Sequence, residues 1–279
     1  MSDVPTVTFN NGVEIPQLGF GVYQIDPADT VDAVRAALDV GYRHIDTAQM
    51  YRNEQQVGEA LQASGLDRGE VFVTSKLNNG FHEYDDALRA FDRTLSALGS
   101  DHVDLFLIHW PMPEVGDYVE TWRALEEIYR SGRARAIGVS NFQPTHLHRV
   151  LAETETVPAC NQIEVHPYLR QDDVRTFGAA HGIATEAWSP IAQGAVLGDP
   201  VIVGIAERIG RTPAQVTLRW HVQRGDIVFP KTVSRSRMEE NFALFDFGLT
   251  DDDMAAIDGL NRDERRGPDP DQFHWIPRH

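Results

Sequence analysis

Residues 71–110 read VFVTSKLNNGFHEYDDALRAFDRTLSALGSDHVDLFLIHW. A β-branched apolar run at 71–77 leads into an amphipathic helical stretch at about 83–98, then a second apolar run at 103–109. That order is a strand, a helix and a strand. The alternation extends both ways. Further strand candidates are 18–22 (LGFGV), 43–47 (RHIDT), 135–140 (RAIGVS), 159–165 (ACNQIEV), 184–188 (ATEAW) and 226–231 (DIVFPK), making eight. Helical stretches fall at about 28–40, 53–63, 118–131, 144–153, 171–181 and 200–223, with more after 234. Thr212-Pro213, an N-cap followed by proline at the first helical position, splits the stretch at 200–223 into two helices. Eight β-α units in 279 residues predict a closed (β/α)8 TIM barrel, with its site at the carboxyl ends of the strands. A doubly wound open sheet is the alternative, weakened because no G-x-G-x-x-G turn follows the first strand.

Ahead of the barrel, Thr6 to Gln17 reads as a hairpin around Asn11-Gly12, placed to close the barrel bottom. No linker or low-complexity segment interrupts the chain, so one α/β domain is expected over 1–279. Its parts are a hairpin at about 6–17, a barrel at about 18–246, and a C-terminal helix and tail at 250–279.

Composition narrows the function classes. Apolar content of 42% and charged content of 24% exclude disordered, collagen-like and disulfide-scaffold proteins. A net charge of −17, from 42 acids against 25 bases, repels nucleic acid and anionic membrane surfaces. No apolar run approaches a membrane span, and the start, MSDVPTVTFNNG, lacks a basic stretch followed by an apolar one, so a cytoplasmic protein is expected. Cys160 is the only cysteine and reads as a small buried side chain. Of the 25 bases only two, Lys76 and Lys231, are lysine. They are suspects for chemistry that arginine cannot perform, because only an amine on a flexible stem shifts its pKa or acts as a compact point charge.

Unusual polar residues collect at the predicted strand ends. Asp46 closes the second strand and Tyr51 follows; Lys76 and His109 end the third and fourth. Ser140-Asn141 end the fifth, Gln162 lies in the sixth with Glu164 and His166 beyond it, Trp188-Ser189 end the seventh, and Lys231 ends the eighth. Each alone is compatible with capping or packing. Together, Asp46, Tyr51, Lys76 and His109 face one barrel mouth. An ammonium beside a phenol is expected to lower the tyrosine pKa, while the aspartate keeps the lysine charged; the set describes a tyrosine general acid.

HIDTAQMY at 44–51, TSKL at 74–77, LIHWP at 107–111, GVSNF at 138–142, NQIEVHP at 161–167 and FPKTVSRSRMEEN at 229–241 carry a family resemblance. The chain closely resembles the aldo-keto reductases, within them the short bacterial group that includes 2,5-diketo-D-gluconate reductase. The resemblance runs from the hairpin to about Leu260. It implies an oxidoreductase that reduces carbonyls with NADPH, without metal or flavin, on a small-molecule substrate, as a monomer with no obligate protein partner. Tyr51 then protonates the carbonyl oxygen, Lys76 and Asp46 tune it, and His109 orients the carbonyl. Ser140, Asn141 and Gln162 match contacts to the nicotinamide carboxamide, and Trp188, followed by Ser189, matches the aromatic on which the ring stacks.

The loop after the eighth strand is legible in physical terms as well. Ser236-x-x-Glu239 can form a capping box, and a helix amino end after that strand is an anion site. With Lys231, Thr232, Val233, Ser234 and Arg237 this makes a pocket for a 2′-phosphate, so NADPH is expected over NADH. The resemblance adds Glu240 and Asn241 on the adenine side. Candidate substrate-pocket residues are Val22, Tyr23, Asn78, Trp110 and Phe142, with Phe273 and Trp275 of the tail able to fold over the mouth. Asn78-Asn79 stands where most relatives have Trp-Asn, and Arg52 where glycine is common, which suggests a more open, polar pocket. Two other classes are compatible with parts of the pattern: an NADPH-binding redox sensor with little turnover, and a metal-dependent hydrolase built on His44, Asp46, His109 and His166.

Overall fold

The computed structural model describes residues 4–276. Its first elements are the antiparallel strands β1 (Thr6–Thr8) and β2 (Glu14–Pro16), with Val7 opposite Ile15. The turn between them is one residue longer than Asn11-Gly12 alone implies. Phe9 accepts from Gly12 N (2.9 Å) and donates to Val13 O (2.8 Å), and Gly12 takes φ 85°. Asn11 Oδ1 accepts from Val13 N (3.2 Å), closing the loop from the side chain.

Eight parallel strands follow in one sheet, hydrogen-bonded in chain order: β3 (Phe20–Gly21), β4 (His44–Asp46), β5 (Phe72–Leu77), β6 (Val103–Ile108), β7 (Ala134–Ser140), β8 (Cys160–Glu164), β9 (Ala184–Trp188) and β10 (Ile227–Val228). A parallel bridge between Leu18 and Val228, with Gly19 N donating to Val228 O (2.7 Å), joins the first to the last and closes the barrel. The first and eighth strands are shorter than the sequence suggests. Pro230 has no N–H to donate, so Phe229-Pro230-Lys231 continues as loop.

Ten helices surround the strands: α1 (Pro27–Val40), α2 (Glu54–Ala63), α3 (Tyr84–Leu98), α4 (Tyr118–Arg130), α5 (Pro144–Glu153), α6 (Asp172–Ala180), α7 (Pro200–Ile209), α8 (Pro213–Gln223), α9 (Arg235–Phe242) and α10 (Asp251–Asp258), counted among the described residues. The expected break between α7 and α8 is present, and Thr212 forms a capping box with Gln215. Trp122 and Trp220 are fully buried, and each finds an acceptor for its indole N–H, at Thr156 O (3.1 Å) and Asp258 Oδ1 (2.9 Å).

Two apolar zones position the site. The larger lies largely between strands and helices. The smaller joins Phe72, Leu105, Leu107, Ala136, Cys160 and Ile227 to Phe9 and Ile15 of the hairpin region, an apolar plug at the barrel bottom. Above it, the polar groups Asp46, Lys76, Gln162 and Glu186 lie toward the carboxyl ends, while His44 stays beside the plug with its ring edge-on to Phe72. No helix among the described residues is long and apolar enough to cross a membrane.

Candidate active site

Asp46 ends β4, and the chain then turns through a short 3-10 segment at Gln49–Tyr51 that returns Tyr51 toward the axis. Lys76, in β5, is fully buried. Its Nζ donates to Asp46 Oδ1 (2.6 Å), Thr47 O (2.9 Å) and Tyr51 Oη (3.3 Å), which accounts for all three ammonium hydrogens. The His109 ring lies edge-on to Tyr51, with centroids 5.7 Å apart.

Burial opposes the Lys76 charge, but Asp46 and Tyr51 together hold its pKa above the ordinary amine value. Burial also raises the Asp46 carboxyl, against the pull of Lys76. The expected lowering of the Tyr51 pKa is overturned. Desolvation of the phenol outweighs Lys76, and the hydroxyl is pushed up to about 12. Desolvation, aided by Lys76, keeps His109 neutral, with its pKa well below the ordinary imidazole value.

A second layer spans the barrel. Ser140 Oγ, at the end of β7, donates to Gln162 O (2.8 Å) on the neighbouring strand β8. Asn141 takes φ 66°, a left-handed conformation that asparagine tolerates. Its Nδ2 donates to His109 O (3.0 Å) and Ser140 Oγ (3.1 Å), and its Oδ1 accepts from Trp188 Nε1 (2.9 Å). Asn141 therefore fixes the half-buried Trp188 ring from one side. Gln162 Nε2 donates to Asp46 Oδ2 (2.9 Å) and to Glu186 Oε2 (2.7 Å). The strand-end pattern overlooked Glu186 because it lies inside β9. Its signal was the period of two in 184–188, which puts a carboxylate on the face of Trp188 in a strand of a sealed barrel.

Beyond β10, Lys231, Val233 and Arg237 are exposed, and Thr232 Oγ1 accepts from Ser234 N (3.1 Å). The expected Ser236–Glu239 capping box is absent. The helix starts two residues earlier, with Ser234 at the N-cap, because Ser234 Oγ and Ser236 Oγ bond each other (2.9 Å) and Glu239 bonds Arg235 (3.1 Å). Glu240 is anchored by Thr212 Oγ1 (2.7 Å), and Asn241 is buried. Ser189 adopts φ 50° at the β9 exit.

At the mouth, Tyr23 is exposed and packs on Tyr51 with centroids 5.0 Å apart. Val22 and Phe142 have no exposed surface; Phe142 instead packs against Tyr118 and His146 in the outer core. Asn78 Oδ1 accepts from Gly80 N (3.0 Å), a local turn contact. The tail does fold over. Glu164 accepts from Arg266 N (2.7 Å, Oε1) and Gly267 N (3.0 Å, Oε2), and a Cβ on Gly267 would collide with Trp188 Cη2. Further on, Phe273 packs at a tilt of 41° on Trp110 with centroids 4.2 Å apart, and Asn79 Nδ2 donates to Trp275 O (3.0 Å). The last tail residues, Pro277, Arg278 and His279, lie outside the described residues.

The four groups of the metal-hydrolase reading are not brought together. His44 Nε2 faces Thr74 Oγ1 (3.3 Å) and His166 Nε2 faces Glu164 Oε1 (3.1 Å), and among the described residues no group of three or more His, Cys, Asp or Glu could hold a metal ion.

Comparisons with known proteins converge. A profile described as the Aldo/keto reductase family matches residues 17–262. An aldo-keto reductase of Mycolicibacterium smegmatis is 51% identical, covering 97% of this chain and 98% of the relative. Glyoxal reductase of Bacillus subtilis is 46% identical, over 96% of this chain and 97% of the relative. The crystal structure of a Gox0644 mutant in complex with NADPH superposes with a TM-score of 0.94 at 45% identity, covering 98% of this chain and 99% of that one.

Proposed function

Because the chain belongs to the aldo/keto reductase family, we propose that it reduces small carbonyl compounds to alcohols with NADPH, Tyr51 acting as the general acid. The observation that carries this reading is the Lys76 ammonium sealed between Asp46, Thr47 O and the Tyr51 hydroxyl (2.6, 2.9 and 3.3 Å).

The residues present suit the cofactor. Ser140, Asn141 and Gln162 are the residues that would hold a carboxamide, Gln162 Oε1 being the acceptor left for its N–H, Trp188 offers an aromatic face held by Asn141, and Lys231, Ser234 and Arg237 offer cations and a hydroxyl to a 2′-phosphate. This last group favours NADPH over NADH. When bound, the nicotinamide supplies the hydride. A phenol that titrates at about 12 stays protonated at neutral pH, the state a proton donor requires. As its proton leaves, the negative charge left on Oη is met at once by the buried Lys76 Nζ, a preorganised stabilisation. Neutral His109 donates a hydrogen bond to the substrate oxygen and so fixes its approach.

Substrates are small dicarbonyls, keto sugar acids or aldehydes; the likeness to a glyoxal reductase supports the dicarbonyls. The test follows the loss of NADPH absorbance with methylglyoxal, wild type beside Tyr51→Phe, with NADH in parallel. Turnover that falls about 10²–10⁴-fold in Tyr51→Phe, and is weaker with NADH, supports the reading. Tight NADPH binding without turnover of any carbonyl in a broad panel would sink it in favour of a redox sensor.

A further inference from the structure

Glu186 has no part in the chemistry above, yet it is fully buried in the barrel interior beside the layer that includes Gln162. It is the register partner of Gln162, whose Nε2 reaches Glu186 Oε2 at 2.7 Å and Asp46 Oδ2 at 2.9 Å. Strands β4 and β8 stand four places apart in a ring of eight, so this amide spans the barrel interior. Its orientation is settled by chemistry. Turning the amide over would aim its carbonyl oxygen at the Asp46 carboxylate, lose that hydrogen bond and add repulsion. Among the described residues no protein donor engages Gln162 Oε1, so the carbonyl end is the one left for a ligand.

The local charge count bears on Glu186 itself. The titratable groups facing it are Asp46, Lys76 and the Cys160 thiol. Two carboxyl groups thus face one cation, and Lys76 Nζ sits on Asp46 at 2.6 Å. Glu186 Oε1 is buried with no partner at all. A carboxylate there would be a second negative charge without a contacting cation in a dry interior, a state avoided by keeping its proton. In line with this, burial and then Asp46 push the carboxyl up to about 8.

We propose that Glu186 is an uncharged positioning residue: it stays protonated at neutral pH and, by accepting from Gln162 Nε2, locks that amide so that Oε1 receives the nicotinamide carboxamide N–H. The inference rests on the assignment of Gln162 to the carboxamide and adds the residue that aims it. An apolar side chain at 186 would free one Gln162 N–H and leave the amide held by Asp46 alone, with its aim loosened. A glutamine at 186 would preserve both the acceptor and the neutrality.

Infrared spectroscopy of the cofactor-free full-length protein at pH 7 tests the proton directly. Wild type shows a protonated-carboxyl C=O band, shifted in deuterated buffer and missing from Glu186→Gln. Fluorescence titration tests the aiming. NADPH binds Glu186→Gln within about twofold of wild type and Glu186→Val about tenfold more weakly, whereas 2′-phospho-ADP-ribose, which lacks the nicotinamide, binds all three alike. Equal binding of that probe also shows that Glu186→Val is folded. Absence of the carboxyl band, or a Glu186→Gln protein as weak as Glu186→Val, overturns the neutral role. NADPH binding unchanged in Glu186→Val overturns the aiming of Gln162 whatever the band shows. Failure of wild type to bind NADPH would instead overturn the function on which the inference rests, leaving the band to report on the proton alone.

Discussion

Replacing Lys76 by methionine removes a charge while nearly conserving the volume of the side chain. In the wild type the ammonium is fully buried and lies 2.6 Å from Asp46 Oδ1. Without it Asp46 retains only the Gln162 Nε2 hydrogen bond at 2.9 Å, and its charge has no counterion in the barrel interior. Breaking a buried pair on one side costs about 3–5 kcal/mol. Near the melting point of a domain of this size, 1 kcal/mol corresponds to about 2–4 °C, so Lys76→Met is expected to lower Tm by about 6–20 °C at pH 7. Removing both charges, as Asp46→Asn with Lys76→Met, should recover most of the loss, leaving about 1 kcal/mol for the Thr47 carbonyl that loses its donor. The sign with pH is also fixed. In Lys76→Met the unpaired Asp46 has a raised folded-state pKa, so stability is greatest below the ordinary aspartate range and is lost as pH rises through the raised value. Thermal unfolding followed by circular dichroism, for both variants at several pH values, measures all of this. If the double variant is as labile as the single one, or if Lys76→Met matches the wild type at pH 7, the pair is not ionic and the reasoning about Tyr51 fails with it.

Gly267→Ala places a methyl group against Trp188, and NADPH binding should weaken severalfold; an unchanged titration would show that Trp188 is not the ring platform. The Glu186 carboxyl is raised from 4.5 to about 8, so the stability linked to its proton is intact below pH 4.5 and is lost as pH rises through about 8. Over that window the loss is at most about 5 kcal/mol. Urea midpoints of wild type and Glu186→Gln that run parallel across it would contradict the assignment. Phe273→Ala strips the tilted ring partner from Trp110 and should raise KM for aromatic aldehydes more than for methylglyoxal, with kcat kept; equal effects on both would mean that the tail does not form a pocket wall.

Much of this site was legible before any coordinates. Alternating strand and helix periods located the strand ends, and a barrel sends the residues there to one mouth, so Asp46, Lys76, His109 and Ser140 stood out by position, while Gln162, inside its strand, drew its role from the family resemblance. What escaped depended on long-range burial. The Tyr51 pKa moves up because the surrounding fold desolvates the phenol more than Lys76 stabilises its anion, a balance that spacing does not reveal. Glu186 lay mid-strand, where the strand-end rule does not look. The clamp of Glu164 on Arg266 N and Gly267 N joins residues about 100 positions apart through backbone donors that any sequence supplies. Strand ends were misjudged where proline and loop geometry, rather than apolarity, stop the ladder, as at Pro230.

The scarcity of lysine has a practical consequence. Lys76 is sealed inside the barrel and Lys231 is exposed, so apart from the chain's amino terminus an acylating reagent meets a single reactive amine on the native protein. That amine stands beside the loop assigned to the 2′-phosphate. Mass spectrometry after brief acylation therefore turns Lys231 into a built-in occupancy gauge, protected when the phosphate end of a nucleotide is seated and modified when it is not, while acylation of Lys76 reports that the barrel has opened.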